Sequence, residues 1–190
     1  TASSIDRGRF QAFSDWRIHG DSFSRMIICP CDRSANRRTA AGKVLQRVIE
    51  LDKYRVLCLM GLPFALELAP RVDRLNADVQ AVISAVGKPS EQGTILTGMQ
   101  QLEEQRRLLE RLCELTAASL KLSSSSHFRF AASSAYSQIV NDRVAFLQMD
   151  RIEGLPSMVT FVQAAIEPAI RTCNSVAARI QSTAASAQLA

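Results

Sequence analysis

Apolar positions set the outline of the chain. From Phe10 to Ile18 they alternate (Phe10, Ala12, Trp16, Ile18), which predicts a half-buried strand. Turn residues His19-Gly20-Asp21-Ser22 follow, and Phe23 to Cys29 carries Met26, Ile27 and Ile28 before Pro30 stops it, so the two strands read as one hairpin. A lone hairpin is marginal in water, so this one is expected to pack on helices or to be the remnant of a sheet completed outside the chain, the latter being favoured. Residues 32–40 are polar and basic. Helical spacing begins near Ala40 and carries Val44, Val48, Leu51, Arg55, Leu59 and Leu62 in steps of three and four.

From Val56 to Leu66 (VLCLMGLPFAL) every face of that helix is apolar, so neighbours or a partner must cover it. The candidate partner-binding residues are Val56, Leu57, Leu59, Met60, Phe64 and Leu66. Pro63 predicts a break near Leu59 to Leu62, with Pro70 a candidate start of a second helix running to Val86. Gly87-Lys88-Pro89-Ser90 ends it. The next helix has the most regular seam: Ile95, Met99, Leu102, Arg106, Leu109, Cys113, Thr116 and Leu120, spaced alternately by four and three. Ser123 to Ser126 reads as a turn. Phe128 to about Asp150 reads as another helix, with Tyr136, Ile139, Val140, Arg143, Phe146 and Leu147 on one side, ended by Gly154. The last helix repeats the four-three rule at Leu155, Val159, Val162, Ile166, Ala169, Cys173, Val176 and Ile180. Pro168 is expected to bend it, and the Ala- and Ser-rich tail to need contacts from elsewhere.

The fold class is therefore mainly α: long antiparallel helices in a bundle or coiled-coil hairpin, preceded by a short β-hairpin that is a candidate remnant of a mixed domain. The expected division is 1–39 for the hairpin and basic loop and 40–190 for the bundle. A chain of 190 residues, 47% hydrophobic and 22% charged, supports one core. It contains no run of about 18 apolar residues, the length of a membrane-spanning helix.

The charge of +5 is uneven. Residues 1–55 hold 11 basic and 6 acidic side chains, and Arg33, Arg37, Arg38, Lys43 and Arg47 form a run without an acid. Such a patch suits anionic headgroups, an acidic partner or nucleic-acid phosphate, and equally a solvated loop and helix start. Of the five cysteines, Cys58, Cys113 and Cys173 fall in helical patterns as small hydrophobes, and the odd number fits a reducing compartment. Cys29-Pro30-Cys31 has neither zinc nor thioredoxin spacing, and only His19 and His127 could complete a metal set, so neither metal nor cofactor is expected.

No nucleophile and base stand at motif spacing, and phosphate-binding and dinucleotide glycine motifs are absent, so the chain does not read as an enzyme. Glu103, Glu104 and Glu110 lack the Glu-x-x-His companion of a di-metal site and read as a solvated face. Arg55, Arg106 and Arg143 interrupt apolar seams and should pair with acids across the bundle or mark a covered surface. Phe128-Arg129-Phe130 interleaves ring and cation as core plus snorkelling.

The blocks Val44 to Arg55 with Gly61-Leu62-Pro63, Phe128 to Ser133 with Ala135-Tyr136, Glu167 to Cys173, and Asp21 to Arg25 resemble the signature of domain-of-unknown-function family 3422 over roughly residues 15–180. That resemblance implies an uncharacterised protein with a mixed domain, long helices and terminal hydrophobic anchors, of which this chain would be the middle. An Arg expected near Ser134 and a basic pair expected near Ala164 and Ala165 are replaced by small residues. It implies a membrane-associated protein on the reducing side of a mitochondrial, other organellar or bacterial inner membrane. The leading expectation is thus a non-catalytic scaffold or accessory subunit that binds protein subunits of a larger complex through apolar helix faces. The rivals are the soluble gating part of a CorA-like cation transporter, and nucleic-acid binding through the Arg33 to Arg47 patch.

Overall fold

The computed structural model describes residues 1–31, 37–86 and 95–189, with side chains for all of these except 37, 38 and 95–97. The element order is β1 (Ala2–Ile5), β2 (Phe10–Ile18), β3 (Ser24–Pro30), α1 (Arg37–Leu59), α2 (Gly61–Val86), α3 (Ile95–Leu147), β4 (Asp150–Arg151) and α4 (Met158–Leu189). Mainly helical with a small antiparallel sheet, it has the predicted class.

The hairpin of β2 and β3 is not left as a pair. It belongs to a four-stranded sheet in the order β3-β2-β1-β4, completed by two strands of the same chain. Strand β1 pairs Ile5 with Phe10 and Ala2 with Phe13, and β4 pairs Arg151 with Ser3. Both escaped the sequence reading because ASSI is short and polar and β4 has only two residues. A register shift lies between Ser14 and Ile18, with Trp16 at φ 57° and its amide donating to Ser14 Oγ at 3.0 Å. This bulge ends the strand's simple alternation. Phe10, Ala12 and Trp16 face the core, while Ile18, expected beside them, is 72% exposed.

The chain divides into two compact units, residues 1–62 with 131–171, and 63–130 with 172–190. This division differs from the expected boundary at residue 39. In the first unit the sheet has no core of its own: Ile5, Phe10, Ala12 and Trp16 share one with Val44, Val48, Leu51 and Cys58 of α1, Val140 and Leu147 of α3, and Met158, Val162 and Ile166 of α4. One sheet face cannot be buried without the helices, so the two fold together.

The second unit is a three-helix bundle. Ala65, Leu68 and Val72 of α2 pack with Phe130 of α3 and Cys173, Val176 and Ile180 of α4. Further along, Val79 and Val82 meet Leu112, Leu115 and Ala187. These two groupings fix the directions: α3 runs antiparallel to both α2 and α4, which run parallel to each other. The Ala- and Ser-rich tail, expected to want outside contacts, is packed by this bundle, with Thr183, Ala184 and Ala187 buried.

Two proline expectations resolve differently. The break falls at Met60, between α1 and α2, inside the predicted Leu59 to Leu62 window. Pro63 is the third residue of α2, in the first turn, where a helix needs no amide donor. Pro70 does not start a helix but lies within α2, as Pro168 lies within α4.

The expected turn at Ser123 to Ser126 is also corrected: α3 is one helix of 53 residues through it. Each of Ser124, Ser125 and Ser126 turns its hydroxyl onto a carbonyl of the preceding turn, Lys121 at 3.0 Å and Leu122 at 3.0 Å and 2.8 Å respectively. Hydroxyls that could have broken the helix are satisfied inside it. The helix stops at Leu147, and Gln148 takes a left-handed φ of 44° with its amide on Ala145 O at 3.2 Å. Gly154, at φ 78°, serves the turn between β4 and α4 instead.

Candidate interaction surfaces

The all-round apolar segment does not remain a single feature. Val56, Leu57, Leu59 and Met60 belong to the first unit, where Leu59 packs against the core, Leu57 is half-buried, and Val56 and Met60 are 41% and 66% exposed. Leu45 and Ile49 are exposed on the same side of α1, so Leu45, Ile49 and Val56, continued by Met60 in the turn that follows, make one apolar row. Steps of four and seven residues bring side chains back to nearly the same side of a helix. Leu45 and Ile49 were absent from the expected partner-binding set, though their spacing from Val56 could have shown them. In the second unit, Phe64 packs against the core under Arg129, whose guanidinium lies 4.4 Å from the ring centroid, and Leu66 is exposed.

A second row lies on α3, in the second unit. Most of the predicted seam is not what packs: Met99, Leu102, Leu109 and Leu120 are 73%, 69%, 58% and 47% exposed, and Cys113 is exposed too, while Thr116 turns inward with its hydroxyl 3.3 Å from Ala187 O of α4. The face that packs runs through Leu112, Leu115, Ser119, Ser126 and Phe130, roughly a third of a turn away at about 100° per residue. Buried serines explain why hydrophobicity alone missed it. Ser119 and Ser126 are small enough for close helix approach, and both bond their own helix, Ser119 to Thr116 O and Ser126 to Leu122 O, each at 2.8 Å.

Within the basic run, side chains are described for Lys43 and Arg47. Arg33 lies outside the described residues. Arg37 and Arg38 are in the first turn of α1. Lys43 lines an open cleft of about 690 Å³ in the first unit, with Arg7, Arg9, Asp6, Thr39 and Phe146 among its walls. Arg7 and Arg9 are additions the sequence pattern had not joined to the patch. The turn that carries them has three consecutive left-handed residues, Asp6, Arg7 and Gly8, at φ 54°, 56° and 86°. Several of these cations are already engaged. Arg9 pairs with Asp6 at 3.0 Å, and Arg47 with Glu50 at 2.7 Å while lying 5.2 Å over the Phe146 ring.

The arginines on apolar seams follow the pairing expectation in part. Arg143 reaches Glu50 on α1 at 2.7 Å. Arg55 pairs within its own helix with Asp52 at 2.7 Å and lies 5.1 Å over Trp16. Arg106 pairs locally with Glu110 at 3.0 Å and stays exposed. Glu50, receiving Arg47, Gln46 and Arg143, is held below its ordinary value of 4.5, the Arg47 hydrogen bond being the largest cause. Glu103 and Glu110 make helix-surface ion pairs, with Arg107 and Arg106 respectively.

Cys58 and Cys173 are buried as expected, and burial pushes the Cys173 thiol up; Cys113, expected to be buried, is exposed. Among the described residues no group of three or more His, Cys, Asp or Glu could hold a metal ion. Among them, too, no helix is long and apolar enough to cross a membrane.

These features define a mainly helical protein with a small antiparallel sheet and with rows of large apolar side chains left on helix surfaces. The chain belongs to a family described as protein of unknown function (DUF3422), whose model matches residues 1–190. No curated protein and no solved structure matches it.

Proposed function

We propose that this chain is a non-catalytic helical scaffold or accessory subunit of a membrane-associated assembly, binding protein partners through apolar helix faces. The observation that carries the reading is the row Leu45, Ile49, Val56 and Met60, 48%, 57%, 41% and 66% exposed. A single exposed leucine needs no explanation, but aligned large apolar side chains beside a well-packed core are the usual mark of a contact surface. Attachment to a membrane rests on the family resemblance.

The test uses immobilised native chain and an Ile49→Glu/Val56→Glu variant against detergent extract of the source membranes. Both substituted positions are exposed, so circular dichroism should be unchanged. The native chain should retain a discrete set of proteins that the variant loses. Equal retention by both, or none by either, sinks the proposal.

A further inference from the structure

We infer that the exposed row on α3 is a self-association surface, on which a second copy of this chain lies antiparallel. The inference rests on the reading of exposed apolar rows as contact surfaces, and it names the partner for one of them.

Met99, Leu102, Arg106, Leu109 and Cys113 follow the four-three alternation of a coiled-coil seam and are exposed along one face of α3. The opposite requirement, packing within the unit, is already met through Leu112, Leu115 and Ser119. An α3 with two apolar stripes therefore has one partner supplied and one missing.

Charge selects both the occupant and its direction. In a parallel pair Arg106 would face Arg106 of the other copy within the seam, and like charges directly opposed are destabilising. Reversing one helix about a two-fold axis between residues 107 and 108 sets Leu102 against Cys113 and Arg106 against Leu109, while Thr116, half-buried with its hydroxyl 3.3 Å from Ala187 O of α4, marks where the seam gives way to the packed face. Glu110, one residue beyond Leu109, then comes beside Arg106 of the second copy. The ion pair that each helix now makes with itself, Arg106 Nε to Glu110 Oε1 at 3.0 Å, can be made between copies instead, twice over by symmetry. A seam whose own charges neutralise each other across a two-fold fits another copy of itself.

The chain carries a reporter. In the antiparallel register the two Cys113 residues are separated by about 16 Å along the axis, eleven residues at about 1.5 Å each. Leu102 and Cys113 of opposite copies are in contact. Sedimentation and crosslinking therefore test the proposal together, in a Cys29→Ser/Cys31→Ser background that removes the other exposed thiols.

The background protein should sediment as a dimer, and Leu102→Glu/Leu109→Glu as a monomer with unchanged circular dichroism. Arg106→Glu should raise the dimer dissociation constant at least tenfold, and Arg106→Glu/Glu110→Arg should restore it. A short bismaleimide should leave Cys113 unlinked and should join the copies once Leu102→Cys is added. A monomeric background protein, failure of the double charge swap to restore association, or efficient linking through Cys113 alone would each overturn the proposal. A dimer that captures nothing from membranes would count against the scaffold function only, and a monomer that still captures partners through α1 against self-association only.

Discussion

Arg143 Nε lies 2.7 Å from Glu50 Oε2, joining α3 to α1 across 93 positions of sequence. The same carboxylate takes Arg47 at 2.7 Å, and its other oxygen takes Gln46 at 3.0 Å. Glu50 is thus the acceptor at which α1 and α3 are tied together in the first unit, next to the core residues Val48 and Leu51.

Glu50→Gln should lower the thermal midpoint, because two guanidinium groups lose their anion. The pH dependence has a definite sign. Glu50 has a lower pKa folded than unfolded, so its contribution is fully present above its ordinary value of 4.5 and is lost as pH falls through the folded value. Thermal melts taken from neutral pH downward should converge between native and variant once the pH lies well below 4.5, and a constant difference would refute the assignment.

Leu51→Ala should cost about 2–5 kcal/mol, since it opens a cavity in a fully buried position where sheet and helices meet. Urea denaturation measures it. A loss under about 1 kcal/mol would mean that the sheet does not share the helical core.

Ser124→Pro distinguishes a continuous α3 from a turn. Ser124 is exposed and in mid-helix, so proline removes an amide donor, clashes with the turn before it and should cost about 3 kcal/mol or more. Ser124→Ala should be neutral or slightly stabilising. Near-equal midpoints for the two variants would restore the turn that the serine run suggests.

Ser126→Leu should destabilise by about 1–3 kcal/mol through overpacking, although it adds an apolar side chain at a buried position. Ser126→Ala should lie within about 1 kcal/mol of native, because the hydroxyl bonds only carbonyls of its own helix. A stabilising leucine would mean that α3 packs through a different face.

Much of this molecule was legible from pattern. The last seam is buried from Val162 to Ile180, whereas Val159 is half-buried and Leu155, also named in it, lies before α4 and is exposed. The reason is simple: α4 buries one stripe, and its apolar period records that stripe. On α3 the same rule picked the wrong side, because the packed face is built with Ser119 and Ser126 while the exposed one is built with leucines. Close approach of helices rewards small side chains, which hydrophobicity counts as polar. Of the basic run, Lys43 lines the cleft, beside Arg7 and Arg9 from a turn that sequence distance hid.

Local chemistry written in the sequence determined that this chain is mainly helical, where α1 gives way to α2, and that Phe10–Ile18 forms a hairpin with the strand after its turn. Those outcomes depend on periodicity, proline geometry and turn residues that act over a few positions. Tertiary structure decided that the hairpin joins a four-stranded sheet, that a serine run stays helical, and which stripe of α3 is buried. Each of these depends on what distant segments bring to the contact, and no local period encodes that.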